Sequence, residues 1–485
     1  MDVKEFRKAA HLVVDAIADY YEQLDSIPVE HQVKVGYLAK LLPAEAPEEP
    51  EPFDIINSDF HKLIMPGVTH WQSGNFFAYY PCNSSFPAML AEMYSNMINA
   101  QGFSWDTCPA MSELETVATD WLAKLIGLPE DFHSNSKGCG SIQGSASEAV
   151  LVTMVAARDR TLRNNPTQPF KLVVYCSDQT HTSTRKAAQI LGLTMKVIKS
   201  DELGQLRASA LLYQLENDIR EGLVPFYLVV SLGTTGICVS DPIKELALAA
   251  GPYSLWLHVD AAYAGSALIL PEFRDIHIEG ISSCDSFNFN PHKWLQVNFD
   301  CSALWVKDRS ALVLALSADA AFFKKVIEDG TGTLAVDFKD LQIPLGRRFR
   351  SLKLWFALRS FGAKKLREMI REHIDLTDKL LSLIQADGLF CIVLPKHHLT
   401  LLPLQVTPLS SDEPLEMVNE RTKYCAHILD VDPSISITSA TFKGKFIIRI
   451  NIGSPQTKYS HVASLYAKMK SAALLAREKK LSVNK

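Results

Sequence analysis

Lys293 stands in the stretch Ser286-Phe-Asn-Phe-Asn-Pro-His-Lys-Trp294. Apolar and aromatic neighbours desolvate an ammonium, depress its pKa and free the amine to condense with a carbonyl. Upstream, Asp260 closes the hydrophobic run Trp256-Leu-His-Val-Asp260. The carboxyl ends of strands are where open α/β sheets bind ligands, and a carboxylate there can keep the ring nitrogen of a heteroaromatic cofactor protonated. The small residues of Gln143-Gly-Ser-Ala-Ser-Glu148 open a predicted helix over 149–158. Ser145, Ala146 and Ser147 would there offer hydroxyls and backbone N–H groups to a phosphate. Gly233-Thr-Thr-Gly236 adds the Thr235 hydroxyl, and Asp178-Gln-Thr-His181 adds an imidazole able to stack on a flat ring.

Each signal alone has a plain alternative. Lys293 fits a lysine with a buried stem and a hydrated head, and Asp260 fits a helix cap. The serine loop fits an ordinary capped helix start, Gly233–Gly236 a turn, and His181 a satisfied polar side chain. What they share is position: each follows a predicted strand, so they can converge on one rim.

The elements that must hold them can be read from periodicity. Between about 86 and 355, short apolar runs such as Lys171-Leu-Val-Val-Tyr175, Phe226-Tyr-Leu-Val-Val230 and Leu255-Trp-Leu-His-Val259 alternate with helical patterns. That is the pattern of an α/β body around a mainly parallel sheet. After Arg350 come helical stretches over 352–358 and 364–386, then strand-like runs at 390–394, 399–402 and 446–450, a smaller α+β domain. At the other end Phe6, Ala10, Val13, Ile17, Tyr20 and Leu24 form one apolar helical stripe that needs a partner surface, a second subunit being a candidate. The proline- and acid-rich segment 42–52 is an extended connector. The expected division is 1–85, a helical dimerisation segment; 86–355, the large domain; and 356–485, the small domain.

Composition removes several function classes. The 485 residues are 47% hydrophobic and 21% charged with a net charge of −5, which gives no basic footprint for nucleic acid or an anionic membrane. No apolar run reaches the ~20 residues of a membrane span. Nine cysteines without a C-x-x-C pair read as reduced thiols rather than a metal site. The first residues lack the core of a signal peptide, because His11 and Asp15 interrupt the apolar stretch. A cytoplasmic protein is expected.

From about residue 60 to 355 the chain resembles the aromatic L-amino-acid decarboxylases, the group II decarboxylases that use pyridoxal 5'-phosphate (PLP). The likeness rests on His70-Trp71, Phe77-Ala-Tyr-Tyr-Pro81, Glu113-Leu-Glu115, Gln143–Glu148, His258-Val-Asp-Ala-Ala-Tyr263, Asn290-Pro-His-Lys293 and Pro344-Leu-Gly-Arg-Arg-Phe-Arg-Ser-Leu-Lys353. It implies a fold type I PLP enzyme, an obligate homodimer acting on an aromatic L-amino acid without a metal. Lys293 would anchor the cofactor, Asp260 would pair with its ring nitrogen, and His181 would stack on the ring. Ser145, Ala146, Ser147, Thr235, Ala262, Asn290 and His292 would complete the cofactor shell. Trp71, Tyr79, Pro81, Cys82, Phe103 and Gly346 would meet the substrate. Cys82 departs from the threonine frequent among relatives, which alters carboxylate or phosphate contacts there.

The resemblance also bears on the product. In plain decarboxylases of this family a loop tyrosine helps protonate the α-carbon and gives an amine; members with phenylalanine there tend to be aldehyde synthases. Aligned from Asp319, this chain has Phe322 at that place, and no tyrosine occurs from Cys301 to Arg350. A phenyl ring has no proton to donate. The expectation is an aromatic aldehyde synthase; the alternative is a simple decarboxylase in which another acid, such as His181 or a water, supplies the proton. Gly346 stands where the resemblance puts glycine in members that accept bulky rings and serine in those that prefer phenolic ones, which implies room for an indole or a catechol; smaller rings such as phenylalanine's are rejected only weakly.

Overall fold

The computed structural model describes residues 1–317 and 336–479. Two compact units emerge: Cys82–Glu372 with Lys396–Leu399, and Met1–Pro81 with His373–Pro395 and the chain from Thr400 onward.

The larger unit is built on a seven-stranded sheet in the order β1-β7-β6-β5-β4-β2-β3. Its strands are β1 Cys139–Gln143, β2 Leu172–Ser177, β3 Thr194–Ile198, β4 Val224–Ser231, β5 Trp256–Asp260, β6 Ser286–Phe289 and β7 Ser302–Val306. Strands β2 to β6 pair in parallel, whereas β7 runs antiparallel to both β6 and β1. The carboxyl ends of β1, β2, β4, β5 and β6 therefore share one edge. The continuous apolar runs seen in the sequence are buried along β2 and β5, as strands covered on both faces require.

Helix Ala146–Asn164 covers one face of the sheet. Its buried residues are mostly small, Ala149, Val150, Ala156 and Ala157 among them, and they join a core with Val174, Val229, Trp256 and Leu304. It starts three residues before the predicted position because the Ser145 hydroxyl accepts the Glu148 N–H at 3.3 Å and caps it.

In the smaller unit, β8 Phe390–Ile392, β9 Leu401–Val406, β10 Thr438–Phe442 and β11 Lys445–Asn451 form an antiparallel sheet ordered β10-β11-β9-β8. Helices Leu415–Asp430 and Tyr459–Glu478 share its core through Cys425, Leu429, Leu465 and Met469. The strand predicted over 399–402 begins later, since Leu399 takes a left-handed turn conformation at φ 52°. The N-terminal stripe does form a helix, Val3–Gln23, opened by an Asp2/Glu5 capping box. Only part of it is covered: Leu24 is buried, while Phe6 and Val13 are exposed. Residues 42–52 run exposed, without helix or strand.

Candidate active site

Strand register sets the centre of the site. Asp260, the last residue of β5, lies between Ser231 of β4 and Asn288 of β6. Its Oδ1 accepts the Ala262 N–H at 3.0 Å, and the Ala262 carbonyl accepts the Asn290 N–H at 3.0 Å. Asn290 then caps the one-turn helix Pro291–Trp294, and its carbonyl accepts the Lys293 N–H at 2.9 Å. Asp260, Ala262, Asn290 and Lys293 are thus linked by short backbone steps. Trp294 fixes that turn, its buried ring stacked on Tyr263 with centroids 4.6 Å apart. Lys293 itself is half-buried between the buried His292 and Trp294.

Two buried histidines near this turn, one inside it and one on β5, are held neutral. His292 Nδ1 accepts the Cys301 N–H at 2.9 Å, which leaves its proton on Nε2. Burial, with Lys293 adding to it, pushes its pKa down to about 3. His258, two residues before Asp260 on the same face of β5, lies between Ser286 Oγ and Asn288 Oδ1, each at 2.8 Å. Burial brings its pKa to about 4. Sequence reading placed His258 in a motif and gave it no role; its alternation with Asp260 along the strand was the available signal.

His181 caps helix Thr182–Ile190, its Nδ1 accepting the Ser183 N–H at 3.2 Å. One side of the ring is open to solvent, yet the protein on its other side pushes the pKa below the usual histidine value. Asp260 opposes that shift and Lys293 reinforces it, so the three groups lie within one another's fields. Cys82 reaches the same place. The Asn83 N–H donates to the His292 carbonyl at 2.9 Å, and the Cys82 thiol, raised by burial, is pulled back by Lys293.

The small-residue loop follows β1. Ser145 caps the helix, which leaves the first-turn N–H groups of Ala146 and Ser147 without helical partners. The Gly144 N–H donates to Glu148 Oε2 at 2.8 Å and fixes the loop from behind. Thr235 sits in the turn between β4 and Ser240. Buried Asp241 holds the base of that turn, accepting the N–H groups of Ser231 and Leu206 at 2.8 Å each. Gly233 in this turn has φ +84°, and a Cβ there would stand 2.5 Å from Ala264 Cβ.

The proposed substrate residues fall into separate groups. Phe103 and Gly346 come together: the Phe103 carbonyl accepts the Lys339 N–H and the Gln101 carbonyl accepts the Arg347 N–H, both at 3.1 Å. Among the described residues, a Cβ on Gly346 would meet only Gln101 Oε1, at 3.8 Å. In the smaller unit, Trp71 stacks on Tyr79 at 5.4 Å and 7°, and on Phe76 at 4.7 Å. Both Trp71 and Tyr79 keep exposed ring surface. Pro81 packs against Gly453. Phe322 lies outside the described residues.

An α/β sheet that brings a half-buried lysine, a carboxylate and a helix N-terminus to one edge has the parts to anchor a phosphorylated carbonyl cofactor. The sequence profile described as "Pyridoxal-dependent decarboxylase conserved domain" matches residues 36–406. The chain is 46% identical to phenylacetaldehyde synthase of Arabidopsis thaliana, covering 95% of this chain and 94% of the relative. Among solved structures, Oryza sativa TDC with PLP and tryptamine superposes with a TM-score of 0.94 at 34% identity, covering 98% of this chain and 99% of that one. Rhodiola rosea 4-hydroxyphenylacetaldehyde synthase does so with 0.91 at 37%, with the same coverage. The chain belongs to the pyridoxal-dependent decarboxylase family, has fold type I and uses PLP.

The residues present fit that cofactor. Asn290 Oδ1, buried beside Lys293, has no hydrogen-bond partner among the described residues. Among the described residues, a Cβ on Gly236, next to Thr235, would approach only Gln179 Oε1, at 3.8 Å, which leaves space in front of the turn.

Proposed function

We propose that this enzyme converts an aromatic L-amino acid, dioxygen and water to an arylacetaldehyde, carbon dioxide, ammonia and hydrogen peroxide. The observation that carries the reading is Phe322, in a stretch from Cys301 to Arg350 that holds no tyrosine. The likeness to two proteins named as aldehyde synthases supports it.

Bound PLP supplies an electron sink for the pair released when the carboxylate leaves. The chain's residues do the rest. Lys293 anchors the cofactor, Asp260 keeps its ring nitrogen protonated, and His181 covers the ring face. The N–H groups of Ala146 and Ser147 and the hydroxyls of Ser145 and Thr235 hold the phosphate end. Asn290, His292 and Ala262 keep the lysine turn in register with Asp260. In the larger unit Cys82 and Phe103 meet the substrate and Gly346 leaves room for a wide ring; Trp71, Tyr79 and Pro81 are substrate residues by the family resemblance alone. Phe322 offers no proton to the substrate α-carbon, which leaves that carbon open to oxidation by dioxygen.

The working form is a homodimer. Helix Phe86–Ile98 exposes Phe86, Leu90, Met93, Tyr94 and Met97, one continuous apolar face, and helix Val3–Gln23 exposes Val3, Phe6, Val13 and Val14. Nine cysteines, none of them in a disulfide, support a reducing, cytoplasmic setting.

The test gives purified holoenzyme L-phenylalanine, L-tyrosine, L-dopa and L-tryptophan in air and counts amine, aldehyde and peroxide. Aldehyde and peroxide in equal amounts are expected. Stoichiometric amine without peroxide would favour the second reading, a simple aromatic decarboxylase, which the likeness to tryptophan decarboxylase 2 of Oryza sativa supports (43% identity).

A further inference from the structure

The two arms of the cofactor site are far apart in sequence and are not on adjacent strands. The serine loop follows β1 and the lysine turn follows β6, with antiparallel β7 between them. Three consecutive residues at the start of β7 touch both arms. Ser302 is paired with Gln143, the last residue of β1. Cys301 donates its N–H to His292 Nδ1 at 2.9 Å, and its carbonyl accepts the His292 N–H at 3.4 Å. Asp300 lies against Gly144: a Cβ there would stand 3.4 Å from Asp300 Oδ2, 3.0 Å from Glu148 Oε2 and 3.8 Å from Arg350 Nη2.

Asp300 is held by Arg350, whose Nε and Nη2 lie 2.9 and 2.8 Å from Oδ2. Both side chains are largely buried, at 17% and 16% exposure. Burial alone would raise the Asp300 pKa, but Arg350, with Lys353 beside it, holds the carboxyl below the usual range. Lys353 and Arg348 stand farther off, 3.8 and 3.9 Å from Oδ1. Lys353 is engaged by Glu92 at 2.6 Å. Arg350 is therefore the chief partner of Asp300. The pair fills the space beside Gly144 of the serine loop, where a Cβ would stand 3.4 Å from Asp300 Oδ2.

We propose that the Asp300–Arg350 ion pair is a positioning device that sets the serine loop and the lysine turn at a fixed separation, so that both ends of one PLP molecule are gripped together. This rests on the cofactor placement given above and is independent of whether the product is aldehyde or amine. Neither residue touches the reacting atoms. They act through Gly144 on one side and through Cys301 and His292 on the other.

The experiment titrates apoprotein with PLP, reading the visible band of lysine-bound cofactor, for Asp300→Asn, Arg350→Gln, the double variant and Arg350→Lys. Each neutralising variant is expected to weaken PLP binding about 10- to 100-fold, by analogy with the loss of outer-shell partners at metal sites. The double variant should be no weaker than the worse single one, because both remove the same interaction. Arg350→Lys should recover part of the loss. Wild-type affinity in folded Asp300→Asn would overturn the proposal, as would losses that simply add in the double variant. If Arg350→Gln fails to fold, the near-isosteric Asp300→Asn and the charge-keeping Arg350→Lys still decide, since unchanged PLP affinity in both refutes it. Failure of the underlying placement would look different: Lys293→Ala would then keep the visible band.

Discussion

The His258 ring and the Asp260 carboxylate stand two residues apart on one face of β5, and His258 is clamped from below by Ser286 and Asn288 at 2.8 Å each. The imidazole is a neutral prop under an anion. Its folded pKa of about 4 lies below the ordinary 6.5, so between these values the unfolded chain binds the extra proton. Stability from this group is complete above pH 6.5 and is lost as the pH falls toward 4. His292, at about 3, and His373, at about 4, act in the same direction. The melting temperature should fall steeply through this window, and His258→Gln should flatten the fall. An unchanged profile would mean that His258 does not titrate as its burial requires.

Lys293→Ala should abolish the visible absorbance of bound cofactor and all turnover. Retention of the band after dialysis would show that another amine anchors PLP.

Phe322→Tyr restores a hydroxyl able to give a proton. The amine-to-aldehyde ratio should rise by at least about tenfold, well under the ~10²–10⁴-fold that a positioned acid can supply. Product counting in air settles it, and an unmoved ratio would remove Phe322 as the switch.

Gly346→Ser should be tolerated by the fold, because among the described residues a Cβ there meets only Gln101 Oε1 at 3.8 Å. The added hydroxyl narrows the pocket beside Phe103. The kcat/KM for L-tryptophan relative to L-tyrosine should drop by about tenfold, the scale of one crowding group in a ring pocket. A constant ratio would place Gly346 outside the pocket.

Asp241→Asn removes one of two carboxylate oxygens that accept the Ser231 and Leu206 N–H groups. Leaving a buried donor unpaired costs about 1–3 kcal/mol. Chemical denaturation should show that loss, and PLP affinity should weaken with it, since the turn carrying Thr235 springs from this base. Full stability would show that the turn is held by other means.

Strands were legible because burial on both faces writes unbroken apolar runs, and the motif residues were legible because each stands where a strand ends. Leu172–Ser177 and Trp256–Asp260 fall within a residue or two of their expected starts. The insertion of antiparallel β7 between β1 and β6 was not legible. Ser302 and Gln143 pair across more than 150 positions, and no local periodicity records a partner so distant. The same holds for Asp300 and Arg350. Arg350 was visible in its motif, but nothing near either residue in sequence names the other. His258 and Asp241 escaped notice because a buried polar side chain announces itself only through the groups it satisfies.

Strand β7 also acts as a ruler between two tools. Ala303 pairs with Ile142 on one side and Phe289 on the other, so a single inserted or deleted residue there would turn every following side chain to the opposite face. Both grips would be lost in one event. An engineer who wishes to graft this chemistry elsewhere must therefore move Asn290–Val306 with the serine loop as one cassette, whereas either arm transplanted alone would arrive without its gauge.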